Sequence, residues 1–279
     1  MAKMKLSLSG RIGEHSHIKD KTAMGFEDLA QLASEIGYEA LCIRPSQATV
    51  DTADEEIRHM RQILDRYNLQ ASMVLLGGAV AANTADSGQS LRAFDRHLDV
   101  TDMLGARMIR VGVNTEEDVR WAQQAADQAR ERGVSLVHFT HSFSPFETVD
   151  QCLEMMARIN RPNFGLAVEP ANLLQCGEDY GPEAMRRLGP HVFSVQVQNL
   201  RLTKEGSYSI QTHSGTVHYE RLIVGEQGGI DFDRFFKGLN AIDFDGFVTS
   251  HQPAMEGMSV RELAQTVFDG IGKYRFQSP

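Results

Sequence analysis

The chain has 279 residues, 42% of them hydrophobic and 23% charged, with a formal net charge of −9. This is the composition of a folded globular protein, not of a disordered chain, and an acidic balance without a Lys/Arg cluster argues against a nucleic-acid partner held through phosphates. No run of about 18 apolar residues is present to span a membrane, MAKMKLSLSGRIGEH holds no apolar stretch fit for a signal peptide, and Cys42, Cys152 and Cys176 show neither CxxC nor CxxH spacing, so we expect a cytoplasmic protein without structural disulfides.

Eight short apolar runs follow in chain order: MKLSLSG (4–10), ALCIRPS (40–46), QASMVLL (70–76), ARMIRVG (106–112), SLVHFTH (135–141), FGLAVEP (164–170), FSVQVQN (193–199) and GFVTSHQ (246–252). Segments of helical period lie between them. FEDLAQLASEIG closes on Gly37, and further helices are expected over 53–67 and 91–104. TEEDVRWAQQAADQARERG opens on Thr115 as N-cap and closes on Gly133. Its first turn carries Glu116, Glu117 and Asp118 and its last Arg130 and Arg132, complementing the helix dipole. The remaining helices are expected over 148–159, 183–188, 232–239 and 259–271. Eight strands alternating with eight helices predict an α/β fold, a single (β/α)8 TIM barrel over 1–279. A doubly wound sheet would want GxGxxG after its first strand, and SGRIGEH does not supply it. The one long connection, 200–229, reads as a long loop or lid after the seventh strand.

Such barrels work at the C-terminal ends of their strands. There stand Arg44, Arg110, His138 with His141, Glu169 with Asn172, Gln196 with Gln198 and Asn199, and His251 with Gln252. Closure would gather these residues, from six strands, into one ring on the scale of a ligand pocket. Each has a plainer reading by itself. A strand-end histidine often belongs to core or rim, the arginines can pair with carboxylates, and Gln198 and Asn199 can satisfy loop backbone. Glu169, at the mouth of the apolar run FGLAV, is costly to bury unless a metal, a cation or a substrate rewards it. Taken together, one carboxylate, several imidazoles and two guanidiniums point to a functional site. His15 and His17 fall in the loop after the first strand, where exposure is the default, although the same loop borders the pocket. Regular strand alternation puts His138 and His141 on opposite faces and leaves open which one looks inward. Glu147, near a helix start, either reaches the pocket or caps that helix.

In GYEALCIR, LGARMIRV, RGVSLVHFTH, NFGLAVEPANL and GIDFDRFFKGLNAIDFDGFVTSHQ, and over nearly its whole length, the chain resembles the xylose isomerase-like TIM barrels. That group contains sugar isomerases and epimerases and the endonuclease IV-type barrels. The resemblance implies one divalent metal held by a Glu, an Asp, a His and a second Glu at the ends of the fifth to eighth strands. Here the first Glu position falls at or beside Phe139, flanked by His138 and His141; the Asp position carries Glu169, the His position Gln196 and the second Glu position His251. The implied ligands are therefore His141, Glu169, Gln196 and His251, a set better suited to Mn, Fe or Zn than to Mg.

In the family's epimerases the two metal-bound Glu residues exchange protons on opposite faces of the substrate, and both are replaced here. What survives is a Lewis-acid or cationic site able to stabilise an enediolate. The expectation is a metal-assisted enzyme acting on a small keto sugar or oxo sugar acid. A lyase or decarboxylase stands ahead of an isomerase or epimerase, because decarboxylation needs no base to remove a carbon-bound proton. His138, His141 and Glu169 would be catalytic, and Arg44, Arg110, Asn172, Gln198 and Asn199 would bind substrate. A non-catalytic sugar-binding barrel is the remaining alternative. The expected partner is a small molecule, not a nucleic acid or a membrane, and the barrel's size is compatible with a homo-oligomer.

Overall fold

Eight parallel strands close on themselves: β1 Lys5–Ser9, β2 Ala40–Ile43, β3 Gln70–Val74, β4 Met108–Arg110, β5 Ser135–Phe139, β6 Phe164–Val168, β7 Val192–Val197 and β8 Phe247–Ser250. The closing pair sets Lys5 opposite Phe247 and Leu8 opposite Ser250. This is the computed structural model of the chain, and it describes residues 4–15 and 18–275. The expected (β/α)8 barrel is therefore observed, with all eight predicted strands in place.

The strands are short and nearly continuous in apolar residues because both of their faces are covered. One set of side chains, including Leu6, Leu8, Leu136, Leu166 and Val248, packs outward against the helices. The alternate set, Cys42, Met73, Val137, Phe139 and Ala167 among it, fills the interior. Small polar groups share that interior, as where the hydroxyls of Ser7 and Ser72 meet at 2.7 Å.

The helix signals act as read. Thr115 Oγ1 accepts from the amide of Asp118 while Asp118 Oδ2 accepts from the amide of Thr115, which satisfies two free donors at the start of Glu116–Glu131. Gly37 ends Phe26–Ile36 at φ +107, a left-handed conformation that an L side chain would strain. Two short helices, Gly78–Ala82 and Pro170–Gln175, were not expected; each begins within four residues of a strand end and is too brief to show a period. Among the described residues no helix is long and apolar enough to cross a membrane.

The largest departure from expectation is the connection after β7. In place of a long loop, Asn199–Leu202, Tyr208–Thr212 and Gly215–Leu222 form an antiparallel sheet with the last of these strands in the middle. Its strands are mostly half-buried or exposed, so they lack the apolar runs that mark the barrel strands. Asn199 and Gln252 secure its base. Asn199 Nδ2 donates to the carbonyls of Ile223 and Glu226, its Oδ1 accepts from the amide of Ile230, and Gln252 Nε2 donates to the carbonyl of Leu222.

Candidate active site

Glu169 follows β6 directly, and its conformation is set by the residue after it. A residue before proline is held extended, and proline is tolerated at the first position of a helix. Glu169 is accordingly extended, at φ −127 and ψ 113, and Pro170 begins the next helix. One turn on, Asn172 reaches back. Its Nδ2 donates to Glu169 Oε2 at 2.9 Å and to the carbonyl of Thr140 at 2.7 Å, fixing the carboxylate in place. Glu169 is only 2% exposed, and its Oε1 has no partner of hydrogen-bonding geometry among the described residues.

That carboxylate opens on a cavity of about 160 Å³ at the strand C-termini. Arg11, Arg44, Arg110, His141, Gln198 and His251 line it from the barrel; Ile210, Tyr219 and Arg221 line it from the inserted sheet. Burial pushes the Glu169 carboxyl up, opposed by Arg11, by the Gln198 amide, by Arg110 and by Arg44. Burial and the repulsion of Arg44 bring the Arg110 guanidinium down to about 9, with Glu169 opposing. The same two causes bring Arg11 down to about 10. At both guanidiniums repulsion from Arg44 outranks attraction to Glu169.

The structure sorts the expected residues. His141 lines the cavity and its Nδ1 lies 2.9 Å from the carbonyl of Ser142. His138 does not reach it. Strand alternation turns His138 outward, where it stacks on Phe146 with ring centroids 3.9 Å apart and its Nδ1 meets the carbonyl of Phe139 at 2.6 Å. Burial brings its imidazole down to about 3, the state of a neutral core histidine. Arg44 borders the cavity but its guanidinium is committed: Nε and Nη2 donate to Glu14 at 2.6 and 3.1 Å in a pair that is almost wholly buried. Asn199 secures loop backbone, as above, and is not a lining residue. Gln196, fully buried, lies a layer deeper, its Nε2 3.4 Å from Ser194 Oγ. Glu147 neither caps a helix nor lines the pocket. It is 3% exposed and accepts from the amides of Phe143 and His213, at 2.7 and 2.9 Å, with His213 Nδ1 also at 2.9 Å, so that it pins the tip of the inserted sheet to the barrel. The expectation for His15 and His17 falls on side chains outside the described residues.

Arg11 and Arg221 were missed. Arg11 lies two residues beyond β1 and would have been found had the strand-end rule been applied to that strand; Arg221 stands on an inserted strand and carries no such signal.

The metal set implied by the resemblance does not fit these residues. Gln196 is withdrawn from the cavity, and among the described residues Glu169 is the only carboxylate lining it. Among the described residues no three His, Cys, Asp or Glu side chains come together as a metal-binding group. A divalent cation would also stand among guanidiniums, whose charge repels it.

Residues 30–269 match the family of xylose isomerase-like TIM barrels, and the chain belongs to that family. Solved structures of the same fold include the D-allulose 3-epimerase from Methylomonas sp., 18% identical over 98% of this chain and 99% of that one, with a TM-score of 0.70. A probable 3-DHS dehydratase, AsbF, from Bacillus anthracis is 14% identical over 96% of this chain and 99% of that one, also at a TM-score of 0.70. The IOLI protein, solved with a bound zinc atom, is 19% identical over 97% and 99% of the two chains at a TM-score of 0.71. At these identities the likeness is one of fold. No curated protein matches the sequence significantly.

Proposed function

We propose that the chain is an enzyme that acts on a small keto sugar or oxo sugar acid through an enediolate, with decarboxylation of the oxo acid as the favoured reaction. The observation that carries this reading is the carboxylate of Glu169, the only one lining the cavity among the described residues, with one oxygen unpartnered there and four guanidiniums and two imidazoles in the same lining. A cavity of about 160 Å³ is below the range of about 300–1,000 Å³ common for drug-sized ligands, which suits a sugar-sized substrate.

Decarboxylation needs an electron sink and one acid. The bond between the carboxylate carbon and its neighbour breaks, CO2 leaves, and the electron pair passes to the adjacent ketone as an enediolate. Arg11 supplies positive charge for that developing oxyanion. Burial favours the protonated form of Glu169, which then delivers its proton to carbon. His141, half-buried at the rim, returns a proton to it from solvent. Asn172 keeps the Glu169 carboxyl aimed, Gln198 contacts a substrate hydroxyl, and the inserted sheet acts as a lid that keeps bulk water from the carbanion.

Isomerisation is the second reading, favoured by the presence of both Glu169 and His141 as acid–base groups in one cavity. One experiment separates the two. Oxo sugar acids and neutral ketoses are incubated with the protein in D2O, with CO2 and carbon-bound deuterium measured together. Stoichiometric CO2 with one deuteron in the product supports decarboxylation; deuterium exchange into a ketose without CO2 replaces it with isomerisation.

A further inference from the structure

The charges around the cavity do not balance. Among the described residues four guanidiniums line it, and of these Arg44 alone forms an ion pair, with Glu14. Arg110 is 3% exposed. Its Nη2 donates to Asn83 Oδ1, its guanidinium carbon lies 3.6 Å from the centroid of the Phe139 ring, and its Nε has no hydrogen-bond partner among the described residues. Arg221 rests against the Tyr208 ring at 4.0 Å. Among the described residues no carboxylate forms an ion pair with Arg11, Arg110 or Arg221, and the single lining carboxylate, Glu169, is left to face all three. A buried cation without a counter-charge costs several kcal/mol, and such a cost persists where a ligand supplies the missing charge.

The geometry points to a carboxylate on the substrate as that counter-charge: the site selects hydroxylated sugar acids over neutral sugars, with Arg110 as the anchor, Arg11 beside it and Arg221 closing from the lid. Guanidinium suits this task because its planar fork matches a carboxylate with two parallel hydrogen bonds. Arg11 and Arg221 thereby become specificity-determining residues. The inference names the substrate class within the reading above, but the demand for an anion stands on the charges of the cavity and does not require the enediolate chemistry.

A matched four-carbon series tests it by calorimetry: erythronate, erythritol and erythritol 4-phosphate. A charge-assisted contact in a desolvated site predicts that erythronate binds about 10- to 100-fold more tightly than erythritol. Arg110→Met should remove most of that preference, Arg110→Lys should restore part of it, and Arg11→Met should reduce it by about tenfold. Circular dichroism shows whether Arg110→Met has folded, and the half-buried Arg11 gives an independent variant if it has not. Equal binding of acid and alditol, or no binding of the acid, overturns the proposal. Preference for the phosphate over the acid replaces carboxylate recognition with phosphate recognition. Selective binding of erythronate by a protein that releases no CO2 from any oxo acid leaves this inference standing and removes the decarboxylase reading.

Discussion

The two ends of the barrel hold arginine in different company. At the floor a hollow of about 320 Å³ is lined by Lys5, Glu39, Arg61 and Asp65, and its guanidiniums have partners: Arg61 pairs with Asp65, and the nearby Arg275 pairs with Glu39. At the mouth a cavity half that size gathers Arg11, Arg110 and Arg221 around the one carboxylate of Glu169. The larger hollow is electrically settled and the smaller is not. Between these two, size alone would select the floor. Charge that folding leaves uncompensated is the better marker of a site that awaits a ligand.

The largest expected effect comes from the mouth itself. Glu169→Gln keeps the shape and the bond to Asn172 but removes the titratable proton. We expect kcat to fall by about 10²- to 10⁴-fold while erythronate still binds. Unchanged turnover would remove Glu169 from the chemistry and break the contrast between the two ends.

The lid comes next. Glu147→Ala leaves the amides of Phe143 and His213 without their acceptor, at a cost of about 1–3 kcal/mol. Limited proteolysis within the inserted sheet should accelerate and KM should rise, with kcat less affected. A variant as resistant to protease as the parent would show that the tip is held by other contacts.

His138 gives a smaller effect that reads on stability alone. Its imidazole is held down to about 3 by burial, against an ordinary value of 6.5. Between those values the unfolded chain takes up a proton that the folded chain refuses, so stability falls as pH drops below about 6.5. The loss from this residue is about 2 kcal/mol at pH 5. Urea unfolding of His138→Phe should therefore lose less stability than the parent between pH 7 and pH 5; equal losses would place the histidine in a more solvated setting.

At the floor the expected effect is smallest. Arg61→Met removes a partly exposed ion pair and should change stability by about 1 kcal/mol or less, with kcat/KM unchanged. A loss of activity there would mean that the two ends are coupled and that charge balance does not separate them.

Much of this was legible in the sequence, and the residues show why. The alternation of apolar runs with capped periodic segments is a local property, so the eight strands and the Thr115 and Gly37 signals could be read one segment at a time. The strand-end rule brought Arg110, His141, Glu169, Asn172, Gln198 and His251 to one cavity, because strand direction alone decides which end of a barrel a residue occupies. Their partners were a different matter. That Arg44 is taken by Glu14, that Asn199 and Glu147 hold the inserted sheet, and that Gln196 is withdrawn beneath the site depend on contacts between residues far apart in the chain. The sequence by itself determined the barrel, the end at which the candidate site gathers and a rich supply of charge there. Only the tertiary structure decided which of those charges are left unpaired, since neutralisation is a matter of a few ångströms and the chain specifies such distances only once it has closed.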